Sequence, residues 1–93
     1  MAVGRAERFD ERRSRIQEFF DEPALKTVFA LLELTEMAWH DCYGEVTPPE
    51  DVIDDILVCS GGDLEKLVRA ADLAVIDRRD LRMWADDTRK QGL

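Results

Sequence analysis

A chain of 93 residues is long enough for one small domain, residues 1–93, and too short for two. Its 45% apolar content separates it from disordered chains even though 37% of its residues are charged, and its longest apolar run, Val28 to Leu32, excludes a membrane-spanning helix of about 20 residues. The formal net charge is −8, the N-terminus turns charged at Arg5 without an apolar signal core, and Cys42 and Cys59 stand alone, so a cytoplasmic protein with two thiols is expected rather than an exported one with a disulfide.

The first helix is predicted over residues 5–20, where Ala6, Phe9, Ile16 and Phe19 or Phe20 share one stripe. Glu11 and Arg15 form an i,i+4 pair on its outer face. Asp21-Glu22-Pro23 then supplies an acidic cap and a first-turn proline, so a second helix starts near Glu22 and stops at Gly44. Its apolar residues form two adjoining stripes, Leu25, Val28, Phe29, Leu32, Trp39 and Tyr43 in one, Ala24, Leu31, Ala38 and Cys42 in the other. Only Lys26, Glu33, Glu36 and His40 mark a polar seam, the pattern of a central helix covered by several neighbours.

Thr47-Pro48-Pro49-Glu50 reads as a capping box with Pro48 at the first helical position, opening a third helix over 48–59. This helix buries Val52, Ile53, Ile56 and Leu57 and turns Asp51, Asp54 and Asp55 outward. Ser60-Gly61-Gly62-Asp63 breaks it and caps the next. From Leu64 to Gln91 there is neither Gly nor Pro, and Leu64, Leu67, Val68, Ala71 and Val75 continue a helical stripe. Asp77-Arg78-Arg79-Asp80 predicts a kink or break within 63–90, with Asp77 capping. The expected fold is therefore an all-α bundle of roughly four or five helices.

An unbroken helix over 63–90 would be roughly 42 Å long, against a radius of gyration of about 12–13 Å for a compact chain of this size. Its overhanging part would carry Leu81, Met83 and Trp84, and those three would then dimerise with a second copy.

The catalytic templates are absent. A single His rules out a multi-His metal site within one chain, and no glycine-rich phosphate loop, nucleophile elbow or calcium loop is present, so no cofactor is expected. Glu33, Glu36 and His40 share one helix face and are the only weak candidates for a divalent-metal or general-base site, against an ordinary i,i+4 Glu–His pair. Trp39 and Tyr43 could anchor a partner at the end of the second helix, although aromatics at helical spacing usually pack inward.

Between Lys26 and Lys66 neither Lys nor Arg occurs in 39 positions that hold ten carboxylates. The basic residues sit at the two ends, interleaved with acids, which argues against nucleic acid as the partner. Two functional classes fit this layout. One is a protein-binding or regulatory module that engages a basic protein partner through its acidic middle, with Asp51, Asp54 and Asp55 as contacts. The other is a homo-oligomeric structural protein in which the Arg-rich end of one copy meets the acidic middle of another. An enzyme centred on Glu33, Glu36 and His40 comes third. Asp51, Asp54 and Asp55 lie at i, i+3 and i+4 and crowd like charge on one side of the helix, so if they meet a basic partner, replacing Asp54 and Asp55 with Asn should slightly stabilise the isolated domain while weakening capture of that partner.

Overall fold

The computed structural model describes residues 5–45 and 48–92, with side chains from residue 10 onward. These residues form five helices: α1 (Arg5–Gln17), α2 (Glu22–Tyr43), α3 (Glu50–Ser60), α4 (Leu64–Ile76) and α5 (Arg78–Gln91). The protein is all-α, with no strand among the described residues. The radius of gyration is 12.6 Å, as expected for a compact chain of this length.

Helix ends follow local chemistry at most boundaries. Gly44 takes the left-handed conformation at φ 72° and donates its N–H to the His40 carbonyl at 2.8 Å, which closes α2. Asp77 both ends α4 and begins α5. Its own N–H reaches the Leu73 carbonyl at 2.7 Å, while its carboxylate accepts from the amides of Arg79 (3.0 Å) and Asp80 (3.4 Å). The break expected within 63–90 is thus a full change of helix at Asp77, and the condition for an overhanging dimer helix is not met. α3 begins later than the sequence suggests, at Glu50, with Pro49 as its cap residue. Thr47 lies outside the described residues, and Glu50 is engaged by Arg12 at 3.3 Å.

The turn between α3 and α4 depends on glycine. Gly62 sits at φ 87°, and a Cβ there would come within 2.7 Å of the Phe19 carbonyl oxygen. Only glycine meets both requirements, so the α1–α2 junction can press directly on the α3–α4 turn.

One hydrophobic cluster draws on all five helices, from Ile16 and Phe20 near the first turn to Leu81 and Ala85 in α5. α3 packs against α4 and α5, α4 also packs against α2 and α5, and α1 lies on α2. The helix with the most neighbours is therefore α4, not α2 as its apolar girth suggested. α4 can be approached closely because its buried face is lined by Ala70, Ala71 and Ala74 beside Leu67. Leu64 and Val68, expected in the core, are exposed, and so is Cys42. The expected core side chain Phe9 lies outside the described side chains.

Candidate functional site

The outer edge of α3 was expected to face solvent. Instead, Asp55 is almost completely buried, with a 3% exposed side chain, and Asp54 is half-buried. Their partners come from both ends of the chain. Arg89 of α5 bridges Asp55 at 2.8 Å and Asp54 at 3.0 Å, and Arg82, one face-repeat earlier, reaches Asp55 at 3.0 Å and Asp51 at 2.7 Å. Arg15 of α1 takes the other side of Asp54. Arg12, itself only 3% exposed, joins Glu36 of α2 and Glu50 of α3. Asp54 and Asp55, expected to turn outward as partner contacts, are thus held by arginines of their own chain, and Asp55 is interior. The break at Asp77 folds α5 back over α3, and the acidic middle receives the Arg-rich ends of its own chain.

The two central carboxyls respond differently. Burial alone would raise the Asp54 pKa, but the hydrogen bonds and charges of Arg15 and Arg89 outweigh it and hold the carboxyl below its ordinary 3.8. For Asp55, burial is the largest influence and carries its pKa above 3.8, although Arg89 and Arg82 pull it the other way. Nearby, burial and then the Asp55 charge push the Cys59 thiol up to about 12, so it is an inert core group.

The weak metal or acid–base candidates do not converge. Glu36 is engaged by Arg12, and His40 is exposed with its Nδ1 3.9 Å from Asp41. Glu33 lies on a groove of about 530 Å³ between α1 and α2, where the Arg13 guanidinium stands 5.7 Å from the centre of the Phe29 ring. Among the described residues no three His, Cys, Asp or Glu side chains are grouped to hold a metal ion.

Trp39 is fully buried and cannot anchor a partner from outside. Its ring lies 4.4 Å from that of Tyr43, centre to centre, and the Tyr43 hydroxyl donates to the Val75 carbonyl at 3.0 Å. This bond ties the end of α2 to the last turn of α4, which makes Tyr43 a structural fastener with one exposed face. The proposed dimerisation trio is also split. Leu81 is fully buried, Trp84 is half-buried against the core, and only Met83 projects into solvent. Leu81 is therefore corrected from an interface residue to a core residue.

The outward side of α2 remains. Its buried stripe is Leu25, Val28, Leu32, Thr35 and Trp39. Directly opposite run Lys26, Ala30, Leu34, Met37 and Asp41, all exposed, with Leu34 at 60%, Met37 at 65% and Asp41 at 85%. At about 100° per residue these five fall within an arc of roughly 80°. The polar seam assigned from sequence included Lys26 but missed this apolar run. The signal available in the sequence was the stripe shared by Leu25, Val28, Leu32 and Trp39, whose opposite face helical geometry fixes.

No helix among the described residues is long and apolar enough to cross a membrane. Compared with family models, curated proteins and solved structures, the chain matches none.

Proposed function

We propose that this chain is a protein-interaction module that engages a protein partner along the outward face of α2. The observation that carries this is the stripe of Ala30, Leu34 and Met37 turned to solvent on a helix whose other large aliphatic residues are covered. Adjacent apolar side chains on one exposed helix face form the centre of a helix-docking surface. Asp41 and Glu45, both exposed at the same end, favour a basic group on the partner. The carboxylates of α3 have a different task in this account, since they hold α1 and α5 to the body of the domain. A homo-oligomeric role is supported by the change of charge sign along the same stripe. The Glu36–His40 seam supports no reaction, because Glu36 is held by Arg12 and His40 stands in solvent.

A photo-reactive side chain placed at Met37, and separately at exposed Asp87 on α5 as control, tests the docking face in concentrated native lysate. Adducts are expected at residue 37 and not at residue 87. Equal labelling at the two positions, or none at either, would overturn the assignment.

A further inference from the structure

Resting on that reading of α2, we propose that the occupant of this face is a second copy of the chain, laid antiparallel along α2 about a two-fold axis passing between Glu33 and Leu34.

A two-fold interface must be complementary to itself: if residue i meets residue j, then j meets i. The outward stripe of α2 meets this condition. In the antiparallel register centred between Glu33 and Leu34, Lys26 faces Asp41 of the second copy and Asp41 faces Lys26. Ala30 faces Met37, Met37 faces Ala30, and the two Leu34 side chains lie beside the axis. The stripe thus has one basic end, one acidic end and an apolar centre. Lys26 and Asp41 are 15 residues apart, about 22 Å along the helix, so an antiparallel pair brings each over its opposite charge.

Size follows the same symmetry. The methyl of Ala30 leaves room at the position where the long, unbranched Met37 of the other copy would lie, and methionine adapts well to such a gap. Among the described residues Lys26 makes no ion pair, and Asp41 meets only the exposed His40 imidazole, 3.9 Å away. Both charges are therefore available. Parallel packing would instead set Lys26 against Lys26 and Asp41 against Asp41, so charge selects the antiparallel arrangement. A basic helix from another protein would find only the acidic end of the stripe complementary, whereas a second copy uses both ends.

Sedimentation of the purified full chain over about 1–300 µM tests the proposal. The expected result is reversible association from 10.7 kDa to twice that mass. Lys26→Glu and Asp41→Lys, each reversing both symmetric pairs, should weaken association at least tenfold. The combined Lys26→Glu/Asp41→Lys variant should restore it, because the two ends have only exchanged sign. Helical circular dichroism of each variant should match the parent, since both side chains are exposed. A chain that stays monomeric throughout this range, or one whose association ignores the single reversals, would overturn the antiparallel pair. Monomeric behaviour together with a foreign adduct at residue 37 would remove the second copy and leave the α2 docking face standing. Monomeric behaviour without any adduct would remove both.

Discussion

The outer edge of α3 and the outward face of α2 carry the same kind of pattern, residues of one character at helical spacing on one side of a helix. They end in opposite environments. Asp54 and Asp55 are enclosed by Arg15, Arg82 and Arg89 of the same chain, whereas Leu34 and Met37 are left in solvent. A pattern on one helix defines a face, but which face is covered depends on what other segments bring to it. The charge run on α3 was balanced by Arg82 and Arg89, 27 or more residues later, and by Arg15, 39 residues before Asp54. The apolar run on α2 had no such segment.

The largest expected effect separates enclosed charge from exposed charge. Arg12→Ala removes a guanidinium that is 3% exposed and leaves Glu36, at 15% exposure, without it. Breaking a buried ion pair from one side should cost about 3 kcal/mol, read as a lower urea midpoint with an unchanged slope. A loss under about 0.5 kcal/mol would place Arg12 among ordinary surface residues and remove the junction of α1, α2 and α3.

A smaller effect should carry the opposite sign to the one expected from sequence. Were Asp54 and Asp55 surface groups repelled by Asp51, Asp54→Asn/Asp55→Asn would stabilise the domain by about 0.2–0.5 kcal/mol for each pair relieved. With arginines bound to both, the double substitution should destabilise it by about 1–2 kcal/mol. The loss stays moderate because Arg82 and Arg89 are partly exposed and regain water when their partners are neutralised. Thermal or urea denaturation decides between the two signs.

Much of the fold was legible for a local reason. Both ends of α2 and the change of helix at Asp77 are written in Pro23, Gly44 and Asp77, whose effects act within one turn, whereas Asp21 takes the cap position of α2 without the side-chain hydrogen bond expected of it. The late start of α3 was not, since Pro48-Pro49 fits either the first helical turn or the extended segment before it. Leu64 and Val68 share a stripe with Leu67 and Ala71 at the resolution of periodicity, yet the close approach of α4 along Ala70, Ala71 and Ala74 leaves them outside. The candidate site was the least legible part. Arg82 and Arg89 are seven apart and therefore on one face of α5, which hints at a common acidic partner, but nothing local names α3 as that partner.

A pH titration sharpens the contrast within the edge of α3 itself. The folded pKa of Asp54 lies below 3.8, so the folded state keeps its carboxylate at pH values where the unfolded chain takes up a proton. Its stabilisation is present above about pH 4 and is lost as the pH falls through the depressed folded value. Asp55 has a raised folded pKa, so its ionised form costs stability near neutrality, and that cost fades as the pH falls through the raised value. Asp54→Asn should therefore flatten the acid-side decline in the urea midpoint between about pH 5 and pH 2. An unchanged decline would show that other carboxyls carry the acid sensitivity of the fold.

The smallest effect on the fold belongs to the outward face of α2. Leu34→Gln exchanges one exposed side chain for another of similar length on a helix whose buried stripe lies on the far side. In dilute solution, where copies are apart, its stability should stay within about 0.5 kcal/mol of the parent. At high concentration the parent should gain stability from association, since any complex formed only by the folded state raises the apparent midpoint by mass action, while Leu34→Gln should gain less. The discriminating measurement is thus the concentration dependence of the unfolding midpoint, not its value. If the midpoints of parent and variant rise together, the face of α2 is no interface. A dilute-limit loss of about 2 kcal/mol or more would mean instead that Leu34 is packed within its own chain, and that α2, like the edge of α3, is satisfied from within.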